Sequence, residues 1–147
     1  MTNKRILSVY ILCSAIWLGF PATGFAGECP QDRKTLTAPQ EFLNMQNPFA
    51  PDERTLKAGE NLFQNEARPI ACKFCHGVKG DGKSGPDFES TPPPRNFTCA
   101  ETMKKLPDGQ LFWIIKNGSK NTSMFAFSDL TNNQIWQLVH YVRSFGK

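Results

Sequence analysis

Cys72-Lys73-Phe74-Cys75-His76 is the stretch whose residue types and spacing can do chemistry. Two thiols two residues apart, followed at once by an imidazole, form the C-x-x-C-H attachment pattern of c-type haem. Each thiol can add to a haem vinyl group to give a thioether, and the two intervening residues set both sulfurs along one porphyrin edge. The adjoining His76 is then positioned as an axial ligand to the iron.

A thioredoxin-like C-x-x-C needs a preceding strand in a βαβ setting, whereas helical periodicity precedes this one. A zinc finger needs a second ligand pair, but Cys99 stands alone and His140 lies within a helical pattern. The iron's other face has four candidate ligands: Met45, Met103, Met124 and His140. Met124 sits in Asn121-Thr122-Ser123-Met124-Phe125-Ala126-Phe127, a loop between two predicted helices, and is the expected ligand. Met45 lies in a polar arm and Met103 precedes Lys104-Lys105 on a segment that reads as wet. His140 shares a helix face with Trp136 and Arg143 and reads as partly exposed.

The elements that must hold these residues begin after residue 26. Lys4 and Arg5, the apolar run from Ile6 to Phe20, and the small-residue site Gly24-Phe25-Ala26 form an export-signal pattern, with cleavage before Gly27. The apolar run covers about 15 residues, short of the roughly 20 that span a bilayer. A retained anchor over residues 6–20, facing the periplasm, is the alternative. A lipidated Cys29 is disfavoured by Glu28, where a small residue is required. Removing 26 of 147 residues leaves 121 and lowers the formal charge from +4 to +2. Cys13 leaves with the signal, so five cysteines become four in an oxidising compartment. The compartment expected is the periplasm, with no stable membrane insertion after cleavage.

Residues 27–50, with Pro30, Pro39 and Pro48, read as an arm over a core. Pro51-Asp52-Glu53 opens a first helix over residues 52–66, with Leu56, Gly59, Leu62 and Phe63 at helical spacing. Residues 77–99 are rich in Gly and Pro and read as a long loop. Asp108 is an N-cap candidate for a helix that Gly118 stops. Thr131 and Gln134 have capping-box spacing, and Ile135, Leu138, Val139 and Val142 continue the last helix to Gly146. No alternating run long enough for a sheet is present.

In this order the features resemble class I c-type cytochromes over residues 52–147. The resemblance rests on Leu56 to Phe63 as the first helix, Cys72 to His76, Gly77-Val78-Lys79-Gly80-Asp81-Gly82, the Gly85-Pro86 turn, the Met124 loop and the last helix. It implies an all-α cytochrome c fold of three to five helices around one covalent haem c, with long loops. It also implies that Gly59 and Phe63 meet Leu138 and Tyr141, and that the Pro86 carbonyl accepts a hydrogen bond from the His76 imidazole. Two departures are present: Cys72 lies nine positions after Phe63, which suggests an inserted loop, and Phe125 follows Met124 where the family often has Pro.

With two cysteines assigned to haem, Cys29 and Cys99 remain. An intrachain disulfide is the expectation; free thiols or a bond to another chain are the alternatives.

His and Met on opposite faces of the iron leave one-electron exchange as the function, and no other catalytic constellation is apparent. The chain reads as an electron carrier, not an enzyme. The alternatives are an electron-transfer subunit of a dehydrogenase or oxidase complex, and a haem enzyme or gas sensor with a displaceable sixth ligand. Residues 70–120 carry eight basic and five acidic residues. Lys73, Lys79, Lys83, Lys104, Lys105, Lys116 and Lys120 suggest redox partners with acidic docking surfaces. The charge is too mild and too scattered for nucleic acid.

Overall fold

The structure, a computed structural model, describes residues 29–31, 35–85 and 88–147. The export pattern over residues 1–26 and the carbonyl expected of Pro86 lie outside the described residues. The described chain is helical, with no strand among the described residues. Its helices are α1 (Gln40–Leu43), α2 (Glu53–Asn61), α3 (Lys73–His76), α4 (Ala100–Lys104), α5 (Asp108–Asn117) and α6 (Asn132–Ser144).

Three local devices start the long helices. Asp52 caps α2 by accepting from the Thr55 N–H at 2.8 Å. Pro51 therefore precedes the cap and is not the first helical residue. Thr131 and Gln134 close a reciprocal capping box on α6: Thr131 Oγ1 accepts from Gln134 N, and Gln134 Oε1 accepts from Thr131 N at 2.9 Å. The α5 start differs from expectation. Pro107 is its cap residue and Asp108 its first helical residue, making no capping bond. The Asp108 carboxylate instead pairs with the Arg143 guanidinium, 2.8 Å from Nε and 2.7 Å from Nη2. Arg143 also donates to the Met103 and Leu106 carbonyls, so one guanidinium ties the α4–α5 junction to α6. Gly118, at φ +75°, stops α5.

The helical stretch expected at 52–66 is present as two pieces. After Asn61 the last turn widens into a π-helical turn, Leu62–Glu66. Leu62 and Phe63 are both buried there. The Phe63 ring packs against Tyr141 (5.4 Å between centroids), Phe145 (5.3 Å) and Phe97 (6.3 Å). One turn earlier Gly59 allows α2 to touch α6: a Cβ there would stand 2.2 Å from the Gln137 carbonyl oxygen and 2.8 Å from Tyr141 Cβ. Ile135, Leu138 and Val139 of α6 are completely buried behind this crossing.

On the other side of α6, Trp136 meets Phe112 of α5 at 4.4 Å, and Phe112 stacks on Phe42 of α1 at 6.3 Å. Met103, expected on a wet segment, is instead 3% exposed and belongs to the core. The charges that follow it face solvent while α4 turns its own apolar side inward. The segment preceding α2 is sewn onto the helices. Gln110 accepts from Ala38 N at 2.7 Å and donates to the Leu36 carbonyl at 3.0 Å, and Asn47 donates to the Trp136 carbonyl at 2.9 Å. Cys29 and Cys99 are joined by a disulfide with Cα atoms 5.6 Å apart.

A candidate haem site between α3 and the Met124 loop

The helical turn of α3 sets the spacing of the chemistry. Cys75 N and His76 N both donate to the Cys72 carbonyl, at 3.2 and 2.9 Å. Positions i, i+3 and i+4 share one helix face, so Cys72, Cys75 and His76 turn to the same side and line one cavity. The cavity holds about 1100 Å³ of empty space, counted out through its open mouth. Its walls are mostly apolar: Phe63, Ile70, Phe97, Leu111, Leu138 and Val142 all contribute.

His76 is oriented by two contacts. Its ring stacks on Phe97, 4.5 Å between centroids at 23°. Its Nδ1 lies 3.1 Å from the Arg95 carbonyl oxygen. Assigned as donor there, a neutral imidazole carries its lone pair on Nε2, the tautomer a metal needs. Within the described residues, then, a carbonyl of the Pro94–Asn96 segment faces the imidazole. Nothing in composition or periodicity distinguishes Arg95 for this part, because a backbone carbonyl leaves no mark on the sequence.

The Met124 loop forms another wall. Ser119 N donates to the Met124 carbonyl at 2.8 Å, Met124 N donates to Thr122 Oγ1 at 3.1 Å, and Phe127 N donates to the Ile115 carbonyl at 3.0 Å. These bonds fold residues 119–127 back over the end of α5. Met124 is half-buried and lines the same cavity as His76. The other three candidates do not line it. Met103 is in the core, Met45 packs on the core from the segment before α2, and His140 Nε2 lies 2.7 Å from the Phe49 carbonyl.

Burial pushes the Cys72 thiol up to about 12, and burial likewise raises Cys75. The two are not bonded to each other. Such thiols are poor nucleophiles for exchange, unlike the lowered cysteine of a thioredoxin-type pair.

These residues fit a haem on the chemistry of the donor set. Two thiols and one imidazole share a face, a thioether stands in the same cavity, and the enclosing surface is apolar enough for a porphyrin. Arg95, 9% exposed, is the one Arg or Lys among the described lining residues and matches a porphyrin's carboxylates in charge.

A family model described as cytochrome c oxidase, cbb3-type, subunit III matches residues 54–142, which include Cys72, Cys75, His76 and Met124. The chain belongs to this family of c-type cytochromes. Its all-α architecture is that of a cytochrome c domain, and the family makes it a haem c electron-transfer domain. A similar solved chain comes from a reducing HAO-like protein complex of Kuenenia stuttgartiensis. It has 26% sequence identity and a TM-score of 0.55, and the match covers 71% of the present chain. The cytochrome spans about half of that longer chain, 49%. No curated protein matches the sequence significantly.

The lysines noted in the sequence differ in exposure. Lys79, Lys83, Lys104, Lys105 and Lys120 of the cytochrome are exposed. Lys73 and Lys116 are half-buried, their ammonium groups 5.8 Å from the Phe74 ring centroid and 5.7 Å from that of Phe112. Among the described residues no helix is long and apolar enough to cross a membrane.

Proposed function

We propose that the chain is a mono-haem c-type cytochrome that carries single electrons between periplasmic redox partners. Cys72 and Cys75 would hold the haem as thioethers, and His76 and Met124 would ligate its iron. The observation that carries this is the meeting of α3's Cys72, Cys75 and His76 with the Met124 loop in one apolar cavity.

Bound haem c supplies a one-electron iron couple. The chain's residues do the rest. The Arg95 carbonyl, accepting from His76 Nδ1–H, fixes the imidazole plane and makes the ring a stronger donor. The bonds at Ser119, Thr122 and Phe127 hold the Met124 loop at its place in the wall. Ligands held in the same place in both oxidation states keep reorganisation small. In this reading residues 1–26 direct export and are removed, residues 27–50 form an arm on a domain of residues 51–147, and the exposed lysines steer acidic partners to the site.

The test is the optical spectrum of the purified holoprotein. Low-spin absorption with a Met–iron charge-transfer band, lost in Met124→Ala, is expected. Retention of the band in that variant, or carbon monoxide binding by the wild type, would remove Met124 as a fixed ligand and favour a sensor or enzyme. Salt-independent reduction by the natural partner would remove the electrostatic docking.

A second reading is favoured by the structural neighbour, which is a component of a redox protein complex. The cytochrome would then serve as the electron-transfer subunit of a larger oxidoreductase. Stable co-purification with a second subunit distinguishes this from a free carrier.

A further inference from the structure

The peptide that orients His76 is gripped from outside the family-matched region. Gln31, in the described part of the chain before α1, uses both ends of its side-chain amide. Its Nε2 donates to the Pro94 carbonyl at 3.0 Å, and its Oε1 accepts from Asn96 N at 2.7 Å. These two backbone groups flank Arg95, whose own carbonyl faces His76 Nδ1. A side-chain amide paired with a backbone donor and a backbone acceptor holds that peptide much as a neighbouring strand would. Gln31 is held in turn. Two residues before it, Cys29 is disulfide-bonded to Cys99, and Asn96 Nδ2 lies 3.5 Å from Cys29 Sγ. Asn96 is 2% exposed, and its Oδ1 accepts from Thr98 N and Oγ1 at 2.9 and 2.6 Å.

We infer that Gln31 is a positioning residue for the haem ligand: by clamping Pro94 and Asn96 it fixes the Arg95 carbonyl on His76 Nδ1–H and so sets the ferric/ferrous balance of the iron. This rests on His76 being the axial ligand. A hydrogen bond to Nδ1–H raises the imidazole's donor strength, and a stronger donor favours the ferric state. Loosening the clamp weakens that bond and shifts the balance toward ferrous.

The test compares midpoint potentials of the wild-type holoprotein with those of Gln31→Ala and Gln31→Leu. Leu adds no charge, roughly keeps the side chain's bulk, and removes both the donor to Pro94 and the acceptor for Asn96 N. Each variant should favour the ferrous state at least threefold at fixed potential, about 28 mV at 59 mV per tenfold for one electron. The His76 Nδ1–H proton signal of the reduced protein should exchange with solvent at least tenfold faster. Asn47→Ala also cuts a bond between this segment and a helix, at Trp136, away from His76. It should leave both readouts unchanged even if stability falls. A smaller or opposite shift in the Gln31 variants, slower or unaltered exchange, or an equal shift in Asn47→Ala would overturn the inference. Failure of both Gln31 variants to accumulate as holoprotein would make Gln31 a folding residue and overturn it too. If the wild type shows no His-ligated low-spin haem, the underlying ligand assignment is what fails.

Discussion

Replacing Gly59 by Ala should cost the domain about 2 kcal/mol, because the added methyl meets backbone that cannot swing aside. The new Cβ would lie 2.2 Å from the Gln137 carbonyl oxygen, where real contacts begin near 3.0 Å. Helices α2 and α6 must therefore part by about 0.8 Å, since neither that carbonyl nor Tyr141 Cβ has a rotamer to change. A gap of that size forfeits roughly a quarter to a half of each dispersion contact across the seam. The fully buried Phe63 and Leu138 lie along that seam. Overpacking of this kind costs about 1–3 kcal/mol, and the lost contacts add to it. Against this, Ala gains about 1 kcal/mol in helix propensity over Gly. The balance is a loss near 2 kcal/mol, roughly a thirtyfold change in the folding equilibrium. Urea unfolding of the holoprotein, followed by circular dichroism, should show a midpoint about 1 M lower if the slope is near 2 kcal/mol per M. Gly85→Ala is the control for an added methyl in open space, since no described residue lies within 4 Å of its Cβ position. An unchanged or higher midpoint for Gly59→Ala would refute the helix contact as described.

Four further outcomes follow from the same contacts. Replacing Cys29 and Cys99 together by Ala opens a loop closed across 70 residues and should lower stability by up to about 4 kcal/mol, read from the urea midpoint. Peptide mass spectrometry of the unreduced wild type should yield the linked Cys29–Cys99 pair. Thr131→Ala removes the acceptor for Gln134 N and should cost about 1 kcal/mol, seen as a melting point roughly 4 °C lower. The Thr55 backbone N–H beside Asp52 holds its carboxyl below the ordinary value of 3.8. Its folded form therefore favours the charged state, so that contribution is present above 3.8 and is lost as pH falls through the lower folded value. The stability difference between wild type and Asp52→Asn should shrink as acid is added, and a widening difference would contradict the cap.

What could be read in advance follows from how local each signal is. The C-x-x-C-H run, the Thr131–Gln134 box and the Gly118 stop are decided within a few residues, so they are legible without a fold. The packing of Gly59 and Phe63 on Tyr141 came through family resemblance, and the structure contains that contact. Met103 and Asp108 are not legible in this way because their roles are tertiary. Met103 takes its burial from the side of α4 that faces the core, and Asp108 takes its partner, Arg143, from 35 residues away. Helices α1, α3 and α4 are four or five residues long, too short for periodicity to register. Arg95 and Gln31 act through backbone atoms and an amide, and neither residue type advertises that use.

The stitching of residues 36–49 onto α5 and α6 bears on where this protein can be cut. A chain starting at residue 51 would keep every position the family model matches. It would also strip both partners from the Gln110 amide, which is 5% exposed, and uncover one face of Phe112. A buried amide left without partners costs about 1–3 kcal/mol, and an opened aromatic adds to that. The stretch that the family model matches is thus smaller than the packed unit, and the preceding residues serve as part of its wall.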